Sequence, residues 1–232
     1  MPTQNIPKLG LKIKDLHLHL NSTAGAVHIL NGINLSIGLG ETIGVMGTSG
    51  SGKTSLLMVI AGLEPASQGH IEINGQLISN MKENQLTRFR RNNIGIIFQN
   101  FHLVPTMTAI ENIALPLEFG GCKNAFRIAA ESLNSVNLCQ RANHYPAQLS
   151  GGEQQRIAIA RAFSIKPSIL LADEPTGSLD KKTGSKIMEL LLSLNKEHNA
   201  TMIIVTHSPT LAKQCDRLVY LADGQIATSN VQ

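Results

Sequence analysis

A run of residues near the start of the chain has the composition of a phosphate-binding loop. It follows the apolar segment ETIGVM and precedes SLLMVIAGL, which predicts a strand, a glycine-rich loop and a helix in that order. Glycines allow backbone N–H groups to point inward at phosphate oxygens, and the amino terminus of the helix adds the positive end of its dipole. The pattern predicts a nucleoside triphosphate site formed by Gly47, Thr48, Ser49, Gly50, Ser51, Gly52, Lys53, Thr54 and Ser55.

Two side chains of this loop have predicted roles. The ammonium group of Lys53 would reach the β and γ phosphates, and the hydroxyl of Thr54 would coordinate Mg²⁺. A glycine-rich turn without a ligand is the alternative interpretation. Because the loop stands between a predicted strand and a predicted helix, the sequence favours a bound nucleotide with Mg²⁺ as its cofactor.

Two acidic residues directly follow a second apolar strand, Ile169 to Ala172. Asp173 is the natural partner of Mg²⁺, directly or through water. Glu174 is placed to polarise a water for in-line attack on the γ phosphate. Adjacent acids after a strand are often solvated turn residues, but the phosphate loop favours the catalytic interpretation.

The segment LSGGEQQR, residues 149–156, predicts a second specialised helix start. Ser150 and Glu153 form an S-x-x-E capping box, and Gly151 and Gly152 leave room for a phosphate of another molecule near the backbone. An ordinary helix start is the alternative interpretation. An exposed serine, two glycines and a helix dipole could equally form half of an anion site.

The elements that position these residues are predicted from apolar runs that end in polar residues. From Thr42 onward, strand, loop and helix alternate, and the runs at 169–172 and 202–206 repeat the pattern, which is typical of a parallel sheet. Earlier in the chain, Leu16, Leu18 and Leu20 alternate with histidines, and the Asn74-Gly75 pair predicts a hairpin, so an antiparallel sheet is expected there. Helical patterns at 106–119 and 126–136 predict an inserted helical subdomain.

Length, composition and charge restrict the function classes. The chain has 232 residues, 42% hydrophobic residues, a net charge of +4 and three cysteines without metal-type spacing. The polar opening predicts no leader, and no apolar run approaches the ~20 residues of a membrane span, so we expect a cytosolic protein with reduced thiols. The basic cluster Arg88, Arg90 and Arg91 is interpreted as a solvated helix face, and nucleic acid is not an expected partner.

In its motifs and their order, the chain resembles the ABC (ATP-binding cassette) ATPase family. Beside the phosphate loop, the two acids and LSGGEQQR, Gln99 matches the Q-loop glutamine, and His207 matches the switch histidine that contacts the γ phosphate. In the family the glutamine touches Mg²⁺ or the attacking water. The resemblance implies ATP as the nucleotide, and it adds a D-loop that links the two sites of a dimer, here Ser178, Leu179 and Asp180.

The resemblance also implies the fold and the division of the chain. It implies an α/β fold: a P-loop NTPase (RecA-like) core with an antiparallel β subdomain and an inserted α-helical subdomain, in one ABC ATPase domain over 1–232. Residues of about 1–99 and 164–232 would form the catalytic core, and about 100–163 the helical subdomain. The signature motif of that subdomain would complete the ATP site of the opposite subunit in a homodimer, through Leu149, Ser150, Gly151, Gly152 and Glu153.

Longer segments resemble the branch of the family that contains the LolD, MacB and YbbA-type ATPases. They are FQNFHLVPTMTAIENIALPL, HYPAQLSGGEQQRIAIARAF and ADEPTGSLD. The branch implies a permease with a large periplasmic domain as partner, through which the chain would contact the cytoplasmic face of the inner membrane. A nucleotide-dependent regulatory module without transport is the alternative.

One position departs from the family pattern. The family usually stacks adenine on an aromatic residue near the end of the first strand, and the matching position here is Leu20. Since stacking of a base on an aromatic ring is worth ~1–3 kcal/mol, we expect looser and less base-selective nucleotide binding unless another side chain takes the place of the ring.

Overall fold

The computed structural model of the protein describes residues 8–22 and 25–227. The polar opening, residues 1–7, lies outside these ranges. Within them the chain forms ten strands: β1 Leu9–Ser22, β2 Gly25–Gly38, β3 Thr42–Met46, β4 Gln68–Ile73, β5 Gln76–Leu77, β6 Ile94–Ile97, β7 Ile169–Asp173, β8 Thr201–Val205, β9 Arg217–Ala222 and β10 Gln225–Ala227. The same ranges hold seven α-helices: α1 Lys53–Ile60, α2 Glu83–Asn93, α3 Ala109–Phe119, α4 Ala125–Ser135, α5 Gly151–Ser164, α6 Lys181–His198 and α7 Pro209–Ala212.

The strands form two sheets, as the sequence predicts. One is antiparallel, with the order β2-β1-β4-β5, and the other has six strands in the order β10-β9-β3-β8-β7-β6. In the second sheet, β9, β3, β8, β7 and β6 are parallel, and β10 pairs antiparallel at the edge. The carboxyl ends of the parallel strands therefore lie along one edge.

Both faces of the parallel sheet are buried. Along β7, Ile169 and Leu171 pack in a first core cluster with the antiparallel sheet and α1. Leu170 and Ala172 face the opposite way and pack in a second core cluster with α3, α4, α5 and α6. Since side chains alternate between the faces of a strand, a strand covered on both sides must be apolar throughout, which explains why this segment reads as an uninterrupted apolar run.

The local signals of the antiparallel sheet are confirmed. Leu16 and Leu18 are buried, and His17 between them is half-buried on the other face of β1. Asn74 and Gly75 join β4 to β5 with φ angles of 48° and 79°. Positive φ at both central residues is the conformation of the tight hairpin turn that an Asn-Gly pair favours.

The predicted helix over 106–119 begins later than its pattern. Helix α3 starts at Ala109, because the preceding Thr108 is its N-cap. The N–H of Glu111 donates to the Thr108 hydroxyl, and the Glu111 carboxylate accepts from the Thr108 N–H at 2.7 Å. This reciprocal capping box fixes the helix start, so the residues before it belong to the loop that follows β6.

The interpretation of the basic cluster as a solvated face holds for Arg88 alone. Arg90 donates to the carbonyl of Gly62, just beyond the end of α1. Arg91 donates to the carbonyl of Phe119 at 2.8 Å, at the end of α3. The expectation is wrong for these two residues because α2 lies between two helix ends, whose free carbonyls accept from long cationic side chains.

The described segments contain no helix with both the length and the apolar composition needed to cross a membrane. Cys122, Cys139 and Cys215 carry free thiols. Burial, followed by the nearby Asp216 carboxylate, raises the pKa of the Cys215 thiol to about 11. A thiol with so high a pKa is unreactive at neutral pH, which agrees with a packing role for this cysteine.

Asn112 of α3 fixes the loop after β6 to the helical layer, which consists of α3, α4 and α5. Its side chain is fully buried, and its Oδ1 accepts from the Val104 N–H at 2.7 Å. Its Nδ2 donates to the carbonyls of Val104, Met107 and Thr108. One carboxamide thus satisfies both backbone groups of Val104 and two further carbonyls of this loop.

Replacing Asn112 by Ala should lower the free energy of unfolding by about 2–4 kcal/mol, because it removes a fully buried side chain and leaves the Val104 N–H and the Met107 carbonyl without partners. Urea denaturation followed by circular dichroism measures the change. Asn92→Ala is the matched control, since Asn92 is exposed on α2 and the change there should stay within about 0.5 kcal/mol. Equal losses in the two variants would contradict the assigned role of Asn112.

Candidate active site

The carboxyl edge of the parallel sheet opens into a cavity of about 620 Å³. The loop after β3, the end of β7, and the residues after β8 and β6 all reach it. These segments bring ten of the predicted site residues to its wall: Ser49, Gly50, Gly52, Lys53, Thr54, Ser55, Gln99, Asp173, Glu174 and His207. Gly47, Thr48 and Ser51 complete the loop but do not line the cavity.

The glycine-rich loop has the backbone that a phosphate cradle requires. Gly52 is the N-cap of α1 and has a φ of 98°, which a residue with a Cβ rarely adopts. The side chain of Lys53 is 7% exposed, and its Nζ donates to the carbonyls of Gly47 at 3.1 Å and Thr48 at 2.7 Å. The ammonium group is therefore held over the loop, beside the amino terminus of α1.

The residues around Asp173 fit a Mg²⁺ ion. The Oδ1 atom of Asp173 is buried and has no hydrogen-bond partner within the described part of the chain. A buried carboxylate oxygen without a partner is costly unless a cation or water occupies its free side. The Thr54 hydroxyl and the Gln99 carboxamide line the same cavity, so the donor set consists of the oxygen ligands that Mg²⁺ prefers.

Glu174 and His207 form a pair on the cavity wall. The Nε2 of His207 lies 2.7 Å from the Oε1 of Glu174. Burial raises the pKa of Glu174, the positive charges of His207 and Lys53 lower it, and the charge of Asp173 raises it, so that the net direction is upward. A carboxylate with a raised pKa is a stronger base than an ordinary glutamate, as proton abstraction from water requires.

The predicted signature and D-loop residues meet at a different surface. A second cavity, also of about 620 Å³, is lined by Ser150, Gly151, Gly152, Ser178, Leu179 and Asp180, with Arg156 and Lys186 at its wall. It shares no lining residue with the first cavity. The structure therefore separates Ser150, Gly151 and Gly152 from the first cavity, whereas Leu179 and Asp180 also line a neighbouring cavity with Glu174 and His207.

The start of α5 is built as the sequence predicts. Ser150 is the N-cap, its hydroxyl accepts from the Glu153 N–H, and the Glu153 carboxylate accepts from the Ser150 N–H at 2.9 Å. Hydrogen bonds from the Ser150 hydroxyl and amide, together with Arg141, lower the pKa of Glu153 to about 2. Leu149 is buried in the second core cluster, which anchors this helix start from below.

The D-loop residues connect the two groups within one chain. The Ser178 hydroxyl donates to the Gln99 carbonyl at 3.0 Å. Asp180 is the N-cap of α6, and its carboxylate accepts from the N–H groups of Lys182 and Thr183. The segment that follows the two acids is thus fixed to the loop after β6 by Ser178 and to the start of α6 by Asp180.

Strand β2 contributes aliphatic and imidazole side chains to the wall of the first cavity. Val27, His28 and Ile29 line it, and Tyr, Phe and Trp are absent from its described wall. Leu20 is 43% exposed and pairs across the strands with Val27. The His28 ring packs on His19 with 4.2 Å between centroids.

Sequence reasoning missed a turn at the rim of the first cavity. Asp223 and Gly224 join β9 to β10 and line the cavity. The Gly224 N–H donates to the Ser51 carbonyl at 3.2 Å, and the Asn31 N–H donates to the Gly224 carbonyl at 2.8 Å. The Asp-Gly pair after an apolar run is a hairpin signal in the sequence, but its contact with the phosphate loop is not.

Comparisons with known proteins agree with this geometry. The family profile described as "ABC transporter" matches residues 30–177. The chain is 45% identical over 228 residues to "Uncharacterized ABC transporter ATP-binding protein YbbA" of Escherichia coli (strain K12), covering 97% of this chain and 98% of YbbA. It is 42% identical over 218 residues to "Lipoprotein-releasing system ATP-binding protein LolD" of Geobacter metallireducens, covering 93% and 97%.

Solved structures give the same result for the fold. The structure described as "Dimeric structure of a post-hydrolysis state of the ATP-binding cassette MJ0796 bound to ADP and Pi" superimposes with a TM-score of 0.86 at 40% identity, covering 93% of this chain and 96% of that one. Among curated proteins, MJ0796 of Methanocaldococcus jannaschii is 43% identical over 222 residues. The fold is that of a P-loop NTPase cassette. The chain belongs to the ABC transporter family and is an ATP-binding subunit that hydrolyses ATP.

Proposed function

We propose that two copies of this chain close around two ATP molecules, each held between the glycine-rich loop of one copy and the α5 helix start of the other. The observation that carries this proposal is that Ser150, Gly151 and Gly152 line a cavity that shares no residue with the cavity of the glycine-rich loop. A phosphate chain bound in the first cavity makes no contact with Ser150, Gly151 and Gly152 of the same copy. A second copy in the reverse orientation brings those groups to the nucleotide.

The residues of the first cavity have distinct roles in this proposal. Lys53 exchanges the carbonyls of Gly47 and Thr48 for phosphate oxygens, and the N–H groups of the loop and α1 hold the rest of the phosphate chain. Thr54, Asp173 and Gln99 would hold Mg²⁺, which would supply positive charge against the negative charge that develops on the phosphates. Ser150 of the other copy exchanges the Glu153 carboxylate for the same nucleotide as the acceptor of its hydroxyl.

Glu174 acts as the general base. It accepts a proton from a water molecule as the water oxygen bonds to the γ phosphorus, and the bond from that phosphorus to the β–γ bridging oxygen breaks. His207, 2.7 Å from Glu174, orients the carboxylate and contacts the γ phosphate. Loss of the γ phosphate removes the group shared by the two copies, and the dimer reopens.

The work of closure is delivered to a membrane partner in this proposal. We propose a permease with a large periplasmic domain, contacted through the loop after Gln99 and the helical layer of about 100–163, at the cytoplasmic face of the inner membrane. The support is the similarity to LolD, which is described as part of a lipoprotein-releasing system, and to MJ0796, whose solved structure is described as a dimer.

Replacing Glu174 by Gln should reduce ATP turnover by ~10²- to 10⁴-fold, because the water loses its proton acceptor while the phosphate contacts remain. The same variant should form a dimer when Mg-ATP is added, since it cannot remove the γ phosphate. Phosphate release measures the turnover, and size-exclusion chromatography with light scattering measures the mass.

Lys53→Ala in the Glu174→Gln background is the control, which should stay monomeric because it lacks the cation of the phosphate loop. Coexpression with a candidate permease tests the membrane partner. If Glu174→Gln with Mg-ATP remains monomeric both alone and with that permease, the shared-nucleotide proposal is wrong.

Glu174 should titrate above the ordinary pKa of a glutamate, and His207→Ala should raise its pKa further. The reason is that the positive charge of His207 favours the ionised carboxylate, so removing it favours the protonated form. Because the base works when deprotonated, the acid limb of the rate should lie at a higher pH in that variant.

A ¹³C-NMR titration of glutamate carboxyls in the nucleotide-free chain measures the midpoint, with Glu174→Gln providing the assignment. His70→Ala, at an exposed position of β4, should leave the Glu174 midpoint unchanged. A midpoint that does not move in His207→Ala would disprove the electrostatic coupling of the pair.

Leu20→Tyr should tighten ATP binding by about 5- to 150-fold, which corresponds to the ~1–3 kcal/mol of base stacking on an aromatic ring. Leu20 lies opposite Val27 on the same face of the β1–β2 pair, and Val27 lines the cavity. The tyrosine side chain is longer than that of leucine, so its ring can reach this part of the cavity wall. Calorimetry with ATP and with GTP in the Glu174→Gln background measures both affinities.

Leu39→Tyr is the matched control, because Leu39 is an exposed leucine in the turn between β2 and β3 at the opposite edge of the parallel sheet. Its ATP affinity should equal that of the unmodified background. Unchanged ATP and GTP affinities in Leu20→Tyr would count against a missing base platform at this position.

A further inference from the structure

Gln155 is a fully buried polar residue of α5 that none of the assigned roles uses. Its Nε2 donates to the carbonyl of Pro175 at 2.7 Å. Its Oε1 is buried and has no hydrogen-bond partner among the described residues. Burying a carboxamide with half of its groups unpaired costs free energy, so an apolar residue would be the more stable choice at this position unless the bond to Pro175 has a function.

The carbonyl that Gln155 holds belongs to the residue after Glu174. Proline has no N–H group, so this carbonyl is the only backbone hydrogen-bonding group of Pro175. Glu174 itself has a φ of 48°, in the left-handed region that is unfavourable for a residue with a Cβ. The catalytic carboxylate therefore projects from a backbone that its surroundings must hold in place.

Three hydrogen bonds hold this backbone, and they come from different elements. The Glu174 N–H donates to the Val205 carbonyl of β8 at 3.0 Å, and the Gly177 N–H donates to the Glu174 carbonyl at 2.9 Å. These two bonds belong to the sheet and to the turn itself. The bond from Gln155 is the one that comes from the helical layer.

The same helix carries the phosphate-facing group of the second cavity. Ser150, the N-cap of α5, lies five positions before Gln155, which is about 7.5 Å along a helix. A helix is stiff over this distance, so a shift of its serine-capped start moves the Gln155 side chain with it. The Pro175 carbonyl receives this shift directly, because Gln155 donates to it.

We propose that Gln155 is a positioning residue that ties the backbone of Glu174 to α5 of the same chain, so that a nucleotide engaged by Ser150 in one site sets Glu174 for the other. The inference rests on the proposed function, because it needs α5 to contact the nucleotide bound to a second copy. Gln155 touches neither the nucleotide nor the water. It acts through the Glu174-Pro175 backbone.

Gln155→Met tests the hydrogen bond to the Pro175 carbonyl. Methionine has a side chain of similar length and volume but cannot donate a hydrogen bond. We expect the turnover number to fall by about 10-fold or more, with the KM for ATP unchanged, because the phosphate contacts are intact. The cooperativity of hydrolysis with ATP concentration should also fall, since the two sites lose a connection.

Asn195→Leu is the matched control. Asn195 is another buried carboxamide, whose Nδ2 donates to the Ala200 carbonyl and whose Oδ1 has no partner within residues 8–22 and 25–227. It lies beside Thr42, at the opposite end of β3. At temperatures where both variants are folded by circular dichroism, Asn195→Leu should keep the turnover number and the cooperativity of the wild type. Equal losses in the two variants would overturn the proposal, because they would show an effect of stability alone.

Gln155→Glu provides a second test that does not depend on the first variant. A protonated carboxyl at this buried position can donate to Pro175, whereas the ionised form cannot, so turnover in this variant should fall as the pH rises through the pKa of the new carboxyl. This direction is opposite to that expected from Glu174 as base. A pH profile identical in shape to that of the wild type, with the fold intact, would overturn the proposal.

The dimerisation assay separates this inference from the proposed function. Gln155→Met combined with Glu174→Gln should form the ATP-dependent dimer as Glu174→Gln does, because Gln155 acts on the catalytic turn and not on the shared nucleotide. If the double variant alone stays monomeric, Gln155 supports the helix start and the positioning role is wrong. If Glu174→Gln also stays monomeric, the proposed function itself fails.

Discussion

The parallel pairing of four buried strands is the constraint on which the site depends. β3, β8, β7 and β6 run in the same direction, so the residues that follow them gather at one edge of the sheet. Because the antiparallel sheet and α1 cover one face and four helices cover the other, these strands cannot shift in register without exposing apolar side chains. The rigid sheet thus fixes the relative positions of loops that carry the polar chemistry.

The charged side chains of the first cavity lie at this edge of the sheet. Lys53 is satisfied by two loop carbonyls, His207 is paired with Glu174, and one oxygen of Asp173 is left without a partner in the described structure. The arrangement resembles a site whose cation and anion positions are prepared before the ligand arrives, which reduces the reorganisation needed on binding. Burial keeps Glu174 more basic than a solvated glutamate, even with two cationic groups nearby.

The helical layer carries the start of α5, which lines the second cavity. Asn112 fixes the loop after β6, Arg91 joins α2 to the end of α3, and Leu149 anchors the start of α5 in the second core cluster. Ser178 and Gln155 then connect this layer to the residues around the first cavity, one through Gln99 and the other through Pro175. The two half-sites of the chain are therefore joined by hydrogen bonds that reach backbone carbonyls and leave the site side chains free for ligands.

The sequence by itself determined the phosphate loop, the acidic pair after β7, the capped start of α5 and the two kinds of sheet, because each depends on neighbouring residues or on a short period. It placed α3 three residues too early, although Thr108 and Glu111 form the same kind of capping pattern as Ser150 and Glu153. It also took Arg90 and Arg91 for solvated side chains, since a helix end contributed by another element is not visible in a local pattern. The Gln155 bond to Pro175, the His207 pair with Glu174 and the contact of Gly224 with the phosphate loop were decided by the tertiary structure. Those contacts join residues that are far apart in the chain, and only the packing of the sheet against its helices brings their atoms within hydrogen-bonding distance.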